Sequence, residues 1–172
     1  MEAVVYTSNT GSTEHYAKLL GHELRVSVYS TEEAGNKLPT GTEIIYLGWI
    51  MAGKIQRFGL ARKKYKICAV CAVGMGQTGT QRKEIREKNN IPGKIPVFTL
   101  QGNFNVEKLH GMYKMMMSIM VKTAGKALEK KADRTPEEED MLDMMLHGGE
   151  RVRIQNLQGV ISWYIRCESP RI

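Results

Sequence analysis

Acid is the scarce charge in this chain, and covalent or membrane anchors are scarcer still. Lysine and arginine number 25 against 18 aspartates and glutamates, a formal charge of +7. An excess of this size suits a solvated basic surface, an acidic partner or peripheral contact with an anionic membrane. It sits mainly in LARKKYK and along residues 108–131, with no nucleic-acid motif beside it, so no nucleic acid is expected as partner. Cys68, Cys71 and Cys167 are too few, and odd in number, for a disulfide framework, and a reducing cytoplasm is the expected location. CAVC has C-x-x-C spacing but lies inside the apolar run KICAVCAV. Strand residues three apart face opposite ways, so packed core cysteines are expected rather than a redox or metal pair. No run of about 18 apolar residues occurs, and no membrane span is expected. MEAVVYT carries an acid where a secretory leader has a basic stretch, so no leader is expected. No His, Asp or Glu grouping has metal-ligand spacing, and His110 and His147 are expected at the surface. There is no repeat, low-complexity tract or domain-separating linker. One domain over residues 1–172 is therefore expected, with a helical elaboration at about 106–150.

Apolar residues make up 42% and charged residues 25% of the chain, enough for a sizeable core. AVVYT (3–7), VSVYS (26–30), EIIYLGW (43–49), KICAVCAV (66–73) and IPVFTL (95–100) read as five strands. STEHYAKLLGHEL reads as a helix through Tyr16, Ala17, Leu19, Leu20 and Leu24. Residues 31–42 read as a polar connection, and QRKEIREKN (81–89) as a charged, exposed helix. Strands alternating with helices predict a parallel α/β sheet. One long helix is predicted from VEKLHGMYKMMMSIMVKTAGKALEKK, its stripe running through Leu109, Met112, Tyr113, Met116, Met120, Ala124, Ala127 and Leu128. TPEEEDMLDMMLHGG follows as a helix with Thr135 as N-cap, Pro136 in the first turn and Gly148 as stop. NLQGVISWYIRC supplies a last amphipathic helix through Leu157, Val160, Ile161, Tyr164 and Ile165.

The first strand ends at Thr7. Ser8, Asn9, Thr10, Gly11, Ser12 and Thr13 follow, all small or polar, and a helix begins as they end. The first N–H groups of a helix lack intrahelical partners and sit at the positive end of its dipole. A phosphate suits that place, with Gly11 allowing close approach and the hydroxyls adding donors. No lysine lies in the loop, unlike a Walker loop, which points to one terminal phosphate rather than a polyphosphate. The alternative is a polar turn that merely caps the helix.

YTSNTGSTEHYA resembles the flavodoxin phosphate loop, [S/T]-x-T-G-x-T after the first strand, with Ser8, Thr10, Gly11 and Thr13 at its four positions. The likeness in strand spacing covers residues 1 to about 105. It implies a flavodoxin-like, doubly wound α/β fold: five parallel strands in the order 2-1-3-4-5, extra helices after the fifth, and FMN at the strand ends. By the same resemblance, the loops after the third and fourth strands hold the flavin ring. Trp49, Ile50, Met51, Ala52 and Gly53 form one, and Gly74, Met75, Gly76, Gln77, Thr78 and Gly79 the other. Gly53 would offer a flexible peptide carbonyl near flavin N5 that tunes the potentials.

VGMGQTGT also spells G-x-G-x-x-G through Gly74, Gly76 and Gly79. A dinucleotide fingerprint needs an acid at the end of the next strand, but that strand ends at Leu100-Gln101-Gly102-Asn103. The glycines therefore read as a bend bringing amides to the flavin's polar edge, with NAD binding or a plain tight turn as alternatives. Met75 stands where the studied flavodoxins carry an aromatic, and the basic charge does not suit docking to a positively charged reductase.

The extra helices resemble, in layout, the branch containing menaquinone-dependent protoporphyrinogen oxidase. Met115, Met116, Met117 and Met120 suit either an adaptable surface for a quinone, membrane or protein, or core packing at helical spacing. Two classes of function follow. One is an FMN redox protein, an electron carrier or small oxidoreductase acting on a redox partner protein or a quinone- or porphyrin-type substrate. The other is a non-redox module of the same fold, binding a protein or membrane through its basic helical face.

Overall fold

The computed structural model describes residues 1–103 and 111–168. Five strands lie parallel: β1 (Ala3–Thr7), β2 (Ser27–Ser30), β3 (Glu43–Met51), β5 (Lys66–Gly74) and β6 (Val97–Gln101). Their order is β2-β1-β3-β5-β6, the doubly wound order expected for five parallel strands. A short sixth strand, β4 (Lys54–Ile55), folds back antiparallel on β3 as a hairpin.

Alternation along each strand sends side chains to two helical layers. Val5, Tyr46, Val70 and Ala72 face one cluster with Ala34, Phe58, Ala61 and Ile85. These come from α2 (Thr31–Lys37), α3 (Phe58–Lys64) and α4 (Arg82–Lys88). Val4, Ile45, Leu47, Cys71 and Leu100 face the other, against Tyr16, Ala17 and Leu20 of α1 (Ser12–Leu24). Leu157 and Val160 close that layer, from a 3-10 turn (Ile154–Leu157) and α8 (Gln158–Glu168). On α8, Ile165 is 57% exposed, so the stripe expected there stops short of it.

Two expectations change. Residues 31–37 are helical, not a polar connection. Ser30 accepts from the Glu33 amide while the Glu33 carboxylate accepts from the Ser30 amide, a capping box that starts α2. Cys71 is fully buried, and burial pushes its thiol pKa far up. Cys68 is only half-buried, because the β3–β5 register passes from Ile67 to Ala69 and leaves Cys68 as the extra residue of a bulge.

Beyond β6 the described chain is helical from Gly111 to Lys130: α5 (Gly111–Met120), a π-helical segment (Val121–Gly125) and α6 (Lys126–Lys130). The long helix was expected as one regular stretch; here it carries a π segment. Leu109 and His110 lie outside the described residues, as do the side chains of Met112, Tyr113, Met116 and Met117. Helix α7 (Pro136–His147) starts as expected, with Thr135 as N-cap, and closes its capping box through Glu138. No helix among the described residues is long and apolar enough to cross a membrane.

Candidate functional site

A cavity of about 670 Å³ opens at the carboxyl edge of the sheet. Ligands of doubly wound proteins bind at that edge, because parallel strands deliver all their loops there.

The first wall is the start of α1. Asn9, Thr10, Ser12 and Thr13 line the cavity. Gly11 is the N-cap, with φ of +97° and no side-chain cap, so the first-turn amides are left to a ligand. Its positive φ turns the chain from strand into helix, a conformation that side chains disfavour. Ser8 does not line the cavity; its hydroxyl accepts from the Gly11 amide at 3.2 Å and braces the turn. Ser12 and Thr13 are buried at 7% and 2% exposure, so neither hydroxyl floats freely. The Ser12 Oγ accepts from the Asn103 amide at 3.0 Å, which leaves its own O–H to donate.

The second wall is the β3–β4 hairpin, Trp49 to Gly53, all lining the cavity. Tyr46 fixes its return limb by donating to the Gln56 carbonyl at 2.7 Å. The Gly53 carbonyl accepts from Asn89 Nδ2 at 2.8 Å. In this structure it is thus tied to α4's end.

The third wall is Gly74, Met75, Gly76 and Gln77, joined by Thr80 and Gln81. Thr78 and Gly79 are not in it. The Thr78 hydroxyl accepts from the Gln101 amide at 3.0 Å. The Gly79 amide donates to the Thr99 carbonyl at 3.0 Å, so it is not offered to a ligand as the bend had suggested.

Two further groups join the lining, and of their residues sequence reasoning had singled out Met120 alone. The end of β6 adds Thr99, Leu100, Gly102 and Asn103. Gly102 is needed there: a Cβ would stand 2.9 Å from Val73 Cγ1 and 3.3 Å from Ser12 Cβ. The signal was present, since a fifth parallel strand must end at the same edge. The roof adds Ile119, Met120, Thr123 and Met141 from the π-containing helix and α7. Met120 belongs to the methionine cluster read as an adaptable surface or as core packing; nothing local to the other three announced this.

A polar network anchors the roof. Arg151 pairs with Asp143 at 2.9 Å and Asp140 at 3.4 Å, and Gln101 donates to Asp140. Asn103 accepts from the Val152 amide at 3.0 Å. Tyr16, fully buried, donates to the Gln101 carbonyl at 2.6 Å and accepts from Asn156 at 2.6 Å. Burial raises the Tyr16 pKa, so its hydroxyl stays neutral and donating. Bonding to His147 first, and to Arg151 next, holds the Asp143 carboxyl below its usual range. A carboxylate depressed by folding contributes stability above its unfolded pKa and loses it as pH falls through the folded value. Asp143→Asn is therefore expected to lower the melting temperature slightly at neutral pH, with the gap to wild type closing below about pH 4. A gap that persists in acid would mean Asp143 acts otherwise. His147 itself is exposed, as expected, and no metal-binding group of His, Cys, Asp and Glu occurs among the described residues.

The strand order and the loop cluster at the carboxyl edge define a flavodoxin-like α/β protein. A model of the flavodoxin domain matches residues 3–131, and the chain belongs to that family. No curated protein and no solved structure matches it. At the level of the family, the domain points to flavin binding and redox function.

Proposed function

We propose that the chain is an FMN-binding redox protein, with the phosphate at the start of α1 and the ring between the 49–53 hairpin and the 74–77 loop. The single observation that carries this is the meeting of those three segments around one cavity. Its volume lies within the roughly 300–1,000 Å³ of small-molecule sites. The donor set fits a lone phosphate: uncapped helix amides with Thr10, Ser12 and Thr13, and no lysine or arginine among the described residues of the lining. Trp49, Ile50 and Met75 offer apolar surface to a flat ring. Bound FMN would supply the electron-carrying chemistry. The chain's residues bind it, orient it and keep water away.

Between carrier and enzyme, the roof favours an oxidoreductase. A carrier needs an exposed ring edge. Here Ile119, Met120, Thr123 and Met141 cover the cavity with mostly apolar side chains, suited to a small apolar substrate such as a quinone or porphyrin. The resemblance in sequence layout to the branch containing menaquinone-dependent protoporphyrinogen oxidase supports the same reading. The purified protein is expected to carry, or take up, FMN with the flavin absorption bands. Failure to take up FMN by a folded protein would remove the redox reading and leave the non-redox module. If FMN binds, turnover of an added quinone or porphyrinogen separates enzyme from carrier.

A further inference from the structure

We propose that the outer face of the helix over residues 111–130 docks on an anionic bilayer surface. Met115 is exposed at 60%, and Ile119, one turn on and 55% exposed, stands where this face meets the cavity it also lines. Lys114 flanks them, and exposed Lys122, Lys126 and Lys130 continue along the helix. The segment holds four lysines and a single acid, Glu129. Among the described residues none of the four lysines has an ion-pair partner, whereas Lys131 just beyond pairs with Glu138. The opposite side faces the protein through buried Gly125 and half-buried Val121, Ala124 and Leu128.

Charge and shape select the partner. Unpaired lysines complement a negative surface, and their long stems let the charge stay in the headgroup layer while apolar neighbours sink deeper. Exposed apolar side chains beside lysines on one helix are the pattern of interfacial helices. Docking on a protein favours aromatic or arginine anchors seated in pockets, and among the described side chains those exposed on this face are Met115, Ile119 and the lysines. The same helix roofs the cavity through Ile119, Met120 and Thr123. Docking would set the cavity's apolar side toward lipid, giving an apolar substrate a route that avoids water.

The test is co-sedimentation of the whole chain with phosphatidylserine–phosphatidylcholine vesicles and with phosphatidylcholine alone. It reads the protein with or without FMN, so its outcome is separate from that of the cofactor reading. Binding to the anionic vesicles only, weakening as salt is raised, is expected. Lys122→Glu with Lys126→Glu is expected to weaken it roughly tenfold or more. Met115→Glu is expected to weaken it at every salt concentration, with the circular dichroism spectrum unchanged. No binding to anionic vesicles at low salt, equal binding to both vesicle types, or folded variants that bind like the wild type would overturn the proposal. The first of these would leave an acidic protein as the occupant.

Discussion

Thr10→Asp is expected to weaken FMN binding by roughly a hundredfold or more while leaving the flavin-free protein as stable as before, or slightly more so. Thr10 stands just before the N-cap Gly11 and lines the cavity. A carboxylate there sits at the positive end of the α1 dipole, a placement worth about 0.3–1 kcal/mol to the fold. To a bound phosphate it is a competing anion. Two unit charges about 4 Å apart interact by about 4 kcal/mol at an effective dielectric constant of about 20. With each 1.4 kcal/mol worth about tenfold, a repulsion screened by about a third still amounts to about a hundredfold. Removing donors alone does less: Thr10→Ala with Thr13→Ala gives up two neutral hydrogen bonds, about 1–3 kcal/mol. Flavin fluorescence titration measures affinity, and thermal unfolding without flavin measures stability. Unchanged affinity in Thr10→Asp would put the phosphate elsewhere.

Asn89→Ala is expected to cost about 3 kcal/mol of stability and to loosen the hairpin wall. One side chain there makes three bonds. Its Oδ1 accepts from the Ile55 amide at 2.8 Å, and its Nδ2 donates to the carbonyls of Gly53 and Ile85, each at 2.8 Å. Alanine strands an amide and a carbonyl in a half-buried place, at about 1–3 kcal/mol for each group left without a partner. The turn it holds is not relaxed. Ala52 and Gly53 have φ of +48° and +78°, and a left-handed alanine costs about 1–2 kcal/mol. Ala52→Gly is therefore expected to recover about half to one kcal/mol in the Asn89→Ala background. Urea unfolding reads both changes. A loss below about 0.5 kcal/mol would mean that water replaces the amide without penalty.

Both predictions rest on parts of the site that differed in legibility. The wall at the start of α1 was legible as a candidate because it is local: strand, small polar loop and helix follow in one stretch, and the helix end leaves its first amides without a side-chain cap. Asn89 was not. It lies 36 residues from Gly53, at the end of a helix with a charged, unremarkable sequence, and only sheet closure brings the two together. The same distinction separates Gly74 to Gln77, which line the cavity, from Thr78 and Gly79, whose polar groups are taken by β6. Glycine spacing marks a bend but not which amides remain free. Helix α2 was legible and overlooked, since Ser30 and Glu33 have capping-box spacing.

By itself the sequence determined the alternation of five apolar strands with helices, and hence a parallel sheet whose loops share one edge; the doubly wound order came from the flavodoxin likeness of the first loop. Hydrophobic period and turn chemistry are local properties, and parallel pairing leaves few orders for such strands. Tertiary structure alone decided the Asn89 clamp, the buried place of Ser12 against Gly102, and the roof of Ile119, Met120, Thr123 and Met141. Each joins residues far apart in the chain, and such contacts are set by how layers pack against each other, a geometry that no stretch of sequence carries alone.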